Sequence, residues 1–453
     1  MTGQKPRQIA ARILRQHRGG GDFIETIADR TLAEAGLSGP DRNLCLELAY
    51  GAVRWRDTLA WLVEQKTPGR TQKPALLDIL ALGLYQIFWL DRIPGHAAVH
   101  ETVELAKHSG FGPQAGFVNA LLRGYLREAD ATRAQLADLK KSRPALGFSH
   151  PEWLVDRWTR RWGADKTAAL LEWNNSPPKT FARINSLAFQ PDSASAAPGS
   201  VAPRPFADFP LRNAGDVLAR WRDEKVDYDF FRRDWFEENL VFELKSHPPL
   251  ARLASFEQGA FYIQDPSTLL AIHELRPAPG LDVLDLCAAP GGKTTFLAQR
   301  MENSGRIVAT DASPDRLNRV RENCDRLRVR CVETSPADAA FRPGQFDRAL
   351  VDAPCSNTGV LRRRVDLRWR LQPSEIDRLK NDQLQLLHRA APLLKPGGFL
   401  VYSTCSIEPG ENQDVVQSFL NQTPGFTLES QRDLHPAADH VDGAYVARLK
   451  RVG

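Results

Sequence analysis

The 453-residue sequence predicts a multidomain protein: an all-α N-terminal domain, a small α+β linker domain and a C-terminal α/β domain built on a mostly parallel sheet. Three observations predict it. Apolar residues recur at helical spacing from Gln8 to about Glu128, the pattern weakens between about Thr132 and Leu250, and from about Ser255 strand-like runs, turns and helical stretches alternate. One core rarely serves a chain of this length. The boundaries fall at 1–135, 136–245 and 246–453.

In the first part the helical spacing runs through Ile9, Ile13 and Leu14, then Leu44 and Leu48, Val99, Val103 and Ala106, and Val118, Leu121, Leu122 and Tyr125. Gly and Pro interrupt it at "GGGD", "LSGPD", "TPGR" and "RIPGH". The first helix carries Arg7, Arg12, Arg15, His17 and Arg18, which suit a solvated face or a nucleic-acid contact equally. In the middle part, Ala188 to Pro205 is Pro-rich with few groups able to form a core, and reads as a loop or insertion. The following "VDYDFFRRDWFEENLVFELKSH" mixes aromatics with charge; packing a small domain is the commoner fate of such rings, stacking on bases the other.

The net charge of +5 suits a polyanionic partner without requiring one. Six cysteines lie without a CxxC pair or a His cluster at ligand spacing, so no metal is expected. No apolar run approaches a membrane span and no signal-peptide core is visible, so the expectation is a cytoplasmic protein whose thiols stay reduced.

In the third part "LDVLDLC", "RIVATD", "FDRALVDAPC" and "GGFLVYSTC" have strand length, and ligands of such sheets sit beyond the strands' carboxyl ends. The turn "LDLCAAPGGKTTFLA" resembles a triphosphate-binding loop, but that loop needs Gly where Cys287 stands. Gly291 and Gly292 let the backbone approach a ligand, and the next helix N-terminus favours a carboxylate. Asp311 follows by about twenty residues, the spacing of a ribose-binding acid, although "DASPDR" also suits an acid capping the next helix. Both halves are satisfied by an adenosine-bearing amino acid. Cys355 beside Asp352, and Cys405, occupy matching places after two further strands. Carbon 5 of cytosine is too weak a nucleophile for a sulfonium methyl group until a thiolate adds at the adjacent ring carbon. A carboxyl group at the ring nitrogen, here Asp352, then stabilises the developing charge, and a base removes a proton so the thiol can leave. On chemistry alone either thiol could attack.

"LDLCAAPGGKT", "VDAPCSNTG" and "YSTCSIEPGENQ" together resemble the signatures of the Sun (Nop/Sun) family of S-adenosylmethionine-dependent RNA cytosine-5 methyltransferases. "GAFYIQDPST" and "DGAYVARLKR" resemble its flanking segments, and "ARINSL" (Ala182 to Leu187) its RNA-side element. "DRNLCLELAYGAVRW" and "AAVHETVELAK" resemble the NusB-type RNA-binding domain of the RsmB branch, which modifies 16S ribosomal RNA. The resemblance implies a Rossmann-like catalytic domain and a donor loop of Cys287, Ala288, Ala289, Pro290, Gly291, Gly292 and Lys293. It further implies donor-binding acids at Asp311, Asp338 and Asp352, attack by Cys405, and release assisted by Cys355. Ala337 stands where the family has Gly before the acid at Asp338, and Arg364 and Val365 replace residues of a His-Pro-Asp run. Lys293 is expected to buttress the loop or its neighbouring acids. The expected reader of this RNA is a monomer without metal or membrane; the alternatives are a tRNA cytosine-5 methyltransferase and a non-catalytic RNA-binding or assembly factor.

Overall fold

The computed structural model describes residues 6–189 and 211–452, so most of the Pro-rich stretch lies outside the described residues. The chain divides into two compact units, Met1–Pro177 with Leu361–Leu371, and Pro178–Val360 with Gln372–Gly453.

Among the described residues the first unit is all helical. Its helices include Pro6–Arg18, Ile24–Ala35, Gly39–Arg54, Arg56–Lys66, Pro74–Trp89, Gly95–Ala106 and Ala115–Arg127. Ser38 starts the third by accepting a hydrogen bond from Asp41 N at 3.4 Å, with Pro40 in the first turn, where its missing N–H costs nothing. Pro74–Trp89 is apolar nearly all round because five other helices pack against it among the described residues, and Leu80, Leu82 and Leu84 are fully buried. The basic face of the first helix is largely spent inside the unit. Arg7 donates to Gln86 Oε1 at 2.8 Å, Arg18 pairs with Asp78, and His17 Nε2 lies 3.1 Å from Asp366 Oδ2. Arg15 points to solvent.

The segment Leu361–Leu371 is part of this core although it comes from far along the chain. Buried Asp366 accepts from Ile24 N at 2.9 Å, and Trp369 Nε1 donates to Val53 O at 2.9 Å. Arg368, fully buried, donates to Asn175 Oδ1 at 2.8 Å and to the carbonyls of Asn174, Ser149 and Leu361. Burial lowers its pKa to about 9, so the guanidinium remains charged at neutral pH, solvated by amide oxygens instead of water.

Among the described residues the second unit holds two sheets. Strands β1 (Thr180–Ile184), β2 (Asp227–Phe231), β3 (Val241–Ser246) and β4 (Phe261–Ile263) form an antiparallel sheet in the order β2-β3-β1-β4. Helix Ala214–Asp223 covers it through Trp221, which packs against Tyr228, Phe242 and Phe261. Of the rings in the aromatic-rich stretch, Trp235 and Phe242 are buried, Tyr228, Phe231 and Phe236 are half-buried, and Phe230 is 53% exposed. The "ARINSL" element lies on β1 and the turn after it. Arg183 and Asn185 are 1% exposed and turn inward, because each finds inside the unit the partners that burial demands. Asn185 Nδ2 donates to Gly259 O and Leu327 O, both at 2.9 Å.

The larger sheet comprises β5 (Asp282–Asp285), β6 (Arg306–Asp311), β7 (Val332–Pro336), β8 (Phe346–Asp352), β9 (Leu394–Thr404), β10 (Phe426–Leu434) and β11 (Ala444–Arg451), in the order β10-β11-β9-β8-β5-β6-β7. The pairs among β5 to β9 are parallel; β11 runs antiparallel to β9 and β10. Strand order reverses between β5 and β8, and that switch point opens a crevice at the carboxyl ends. Among the described residues no helix is long and apolar enough to cross a membrane.

Candidate active site

Each parallel strand that flanks the crevice hands over a functional group where its ladder ends: β5 ends on Asp285, β6 on Asp311, β8 on Asp352 and β9 on Thr404, next to Cys405. The loop after β5 turns back through Gly291, whose φ of 100° is one that residues with a Cβ rarely adopt; a Cβ there would also lie 3.3 Å from Val320 Cα. The helix Gly292–Arg300 then begins with its N-terminus at the crevice. Ala288 N donates to Thr310 O at 2.9 Å, which fixes the loop to the end of β6. The Ala289–Pro290 peptide is cis.

Asp311 holds that loop and its own turn. It accepts from Ala289 N and Ser313 N, both at 3.2 Å, and lies 3.3 Å from Arg316 Nη1. Ser313, rather than Asp311, caps the following helix. Beside it lies a cavity of about 480 Å³ lined by Asp311, Ala312, Leu317, Pro336, Ala337 and Asp338, within the range of small-ligand sites. Apolar walls between two acids fit an adenosine. On the other side of the loop, buried Asp285 accepts from Thr294 Oγ1 at 2.7 Å with Oδ2, while its Oδ1 has no hydrogen-bond partner among the described residues. Burial raises this carboxyl to about 7, with Asp352 adding to the shift and the Thr294 bond opposing it. A buried acceptor left open beside a helix N-terminus fits a zwitterionic amino-acid end.

Lys293 Nζ donates to Asp352 Oδ2 at 2.7 Å, and Ser403 Oγ donates to Oδ1 at 3.0 Å. Burial works against the Lys293 charge, yet Asp352 outweighs it and the ammonium is held above its ordinary pKa. Cys287 is silenced: burial, reinforced by Asp352 and Asp285, pushes its thiol up to about 12.

The structure brings the other two thiols together. Cys355 Sγ and Cys405 Sγ lie 3.2 Å apart, Cys355 buried and Cys405 partly exposed. Cys405 also donates to Asn357 Oδ1 at 3.0 Å, while Asn357 Nδ2 donates to Cys355 O at 2.6 Å. The hydrogen bond with Cys405, then burial, raise Cys355 well above the ordinary thiol pKa. Gly359 N donates to Cys405 O at 3.0 Å, and a Cβ on Gly359 would sit 2.6 Å from that oxygen.

Sequence reasoning missed Asp285, Asn357, Gly359 and Glu411. Asp285 had a signal, an acid at the end of an otherwise apolar strand. The roles of the others depend on two loops meeting across 46 to 55 positions, which spacing does not encode.

Comparison with known proteins is consistent across the chain. Residues 4–127 match the NusB family, 150–197 the RsmF/B-like ferredoxin-like domain, and 272–450 the family 16S rRNA methyltransferase RsmB/F. A Synechocystis sp. protein named a probable ribosomal RNA small subunit methyltransferase B is 33% identical over 473 aligned residues, covering 98% of this chain and 99% of that one. The ribosomal RNA small subunit methyltransferase B of Cronobacter sakazakii is 31% identical, covering 98% of each. A solved methyltransferase homologue from Pyrococcus horikoshii is 28% identical with a TM-score of 0.55, covering 68% of this chain and 97% of that one. With a NusB domain, a ferredoxin-like domain and a methyltransferase domain in series, the chain belongs to the RsmB/F methyltransferase family.

Proposed function

We propose that the protein transfers a methyl group from S-adenosylmethionine to carbon 5 of a cytosine in 16S rRNA, through a covalent adduct with Cys405. The observation that carries this reading is the pair of thiols 3.2 Å apart beside the Lys293–Asp352 pair at a strand switch point. The domains drawn at 1–135, 136–245 and 246–453 divide the work into RNA binding, RNA presentation and chemistry. The small-subunit rRNA target rests on the relatives' names and the NusB match.

The donor's adenosine fits the cavity between Asp311 and Asp338, with Ala288 to Lys293 and Asp285 around its amino-acid end. When bound, the donor supplies an electrophilic sulfonium methyl group. Asp352, steered by Lys293 and Ser403, hydrogen-bonds the base at its ring nitrogen and stabilises the charge that develops there. The Cys405 thiolate adds to carbon 6, which makes carbon 5 nucleophilic enough to take the methyl group. A base then removes the proton from carbon 5, the carbon 6–sulfur bond breaks, and Cys405 leaves as thiolate. Cys355, held in its protonated form beside Cys405, suits release rather than attack. A paired cytosine would have to leave its helix to reach this crevice.

The test is incubation with radiolabelled S-adenosylmethionine and RNA from a strain lacking the enzyme, followed by mapping of 5-methylcytosine. One new methylated cytosine in small-subunit rRNA is expected. Label confined to tRNA would overturn the target, and donor binding without any label would favour a non-catalytic assembly factor.

A further inference from the structure

Glu411 is a fully buried carboxylate that touches both thiol loops. Its Oε1 accepts from Ser356 N at 2.7 Å and from Gln383 Nε2 at 3.1 Å. Its Oε2 accepts from Ser406 Oγ at 2.5 Å and from Ser356 Oγ. Ser356 and Ser406 are the residues immediately after Cys355 and Cys405. Gln383 in turn donates to Pro354 O at 2.9 Å, so Cys355 is gripped on both sides. The side chain of Asn412, the next residue, is tied to the same loop: Asn412 Nδ2 donates to Ser406 O at 2.9 Å and Thr404 Oγ1 donates to Asn412 Oδ1 at 2.6 Å.

We propose that Glu411 is a positioning residue for the two-thiol chemistry: its carboxylate clasps the loops after β8 and β9, sets the Cys355–Cys405 separation and keeps Cys405 the reactive thiol of the pair. Its catalytic consequence rests on the function proposed above. Four donors on two oxygens are what a buried carboxylate needs to remain where burial would otherwise expel it. No neutral side chain offers two acceptor-only oxygens at that reach, since an amide presents an N–H₂ to donors on one side. Electrostatics acts in the same sense. Cys355 faces Cys405 and Glu411, and the nearby anion opposes a thiolate at Cys355, after the larger effects of the Cys405 hydrogen bond and burial. The clasp therefore places the thiols in contact while making them unequal, which is what a sequence of attack by one and release by the other requires.

The experiment is competitive alkylation of the full-length protein with iodoacetamide, with the rates at Cys355 and Cys405 read by peptide mass spectrometry, with no RNA present. Wild type is expected to modify Cys405 faster. In Glu411→Gln the Cys405-to-Cys355 rate ratio is expected to fall by about tenfold, the change equivalent to one pKa unit between the thiols. With RNA, kcat is expected to fall while the KM for the donor stays within about twofold, an inhibited chemical step rather than lost binding. If Glu411→Gln does not fold by circular dichroism, Ser356→Ala/Ser406→Ala, which removes the hydroxyl half of the clasp, is read by the same ratio. An unchanged ratio in a folded, donor-binding variant overturns the proposal. A shifted ratio in a protein that methylates no RNA would leave the clasp standing and remove the cytosine reading, so the two fail separately.

Discussion

At the scale of single residues, the two thiols are chemically different although they touch. Cys355 is buried and held protonated, Cys405 is partly exposed and bonded to Asn357. Cys405→Ala is expected to abolish methyl transfer, whereas Cys355→Ala is expected to accumulate enzyme covalently bound to RNA; loss of turnover in the second variant with no gel-stable adduct would remove the release role. Asp285 offers a pH signature. Its folded pKa of about 7 lies above the roughly 3.9 of an unfolded Asp, so the native state holds a proton that the unfolded chain has lost between about pH 4 and 7. Stability from this group is complete below that window and falls as pH rises through it. Asp285→Asn, which keeps an oxygen for Thr294, is expected to flatten that part of the pH profile in urea unfolding of the donor-free protein. A profile as steep as wild type would show that Asp285 is ionised throughout.

At the scale of elements, the proposed donor loop is held from behind by the small sheet. Arg183 on β1 donates to Gly292 O and Thr295 Oγ1, both at 3.1 Å, and to Gln264 Oε1 at 3.0 Å, with Phe296 beneath its guanidinium. Gln299 on the same helix donates to Ile184 O at 3.1 Å. A planar guanidinium serves two directions at once, which an ammonium cannot reproduce. Arg183→Ala is expected to weaken S-adenosylmethionine binding about tenfold in calorimetric titration and to cost about 2 to 3 kcal/mol in urea unfolding, since buried oxygens lose their donors. Arg183→Lys is expected to recover little of either. Unchanged donor affinity in Arg183→Ala would reduce this contact to packing alone.

At the scale of the whole molecule, neither compact unit is a continuous stretch of chain. Leu361–Leu371 leaves the second unit six residues after Cys355 and completes the core of the first, through Val365, Asp366, Arg368 and Trp369. Arg368→Ala is expected to destabilise the first unit by about 3 kcal/mol, because it strips the donors from several buried oxygens and opens a cavity. Hydrogen exchange should then rise first in 361–371 and in Phe148–Asn175, which supply the Arg368 partners. Exchange unchanged there, with stability intact, would mean that the segment is held by Trp369 and Asp366 without it.

The periodicities of the sequence determined the order of helical and strand-rich parts, because burying an apolar stripe dictates a helix and burying alternate or continuous short runs dictates strands. The three cysteine and glycine signatures also determined the family resemblance, and hence where the proposed donor loop and both thiols lie along the chain. What the sequence left open required contacts between distant positions. The approach of Cys355 and Cys405, the clasp at Glu411, the inward turn of Arg183 and Asn185, and the use of Asp366 and Arg368 as core pieces of the helical unit all join residues dozens to hundreds of places apart. Local pattern records which face of an element is buried. Only the tertiary structure decided which buried polar group meets which, because each such group is satisfied by whatever donor or acceptor the fold carries to it.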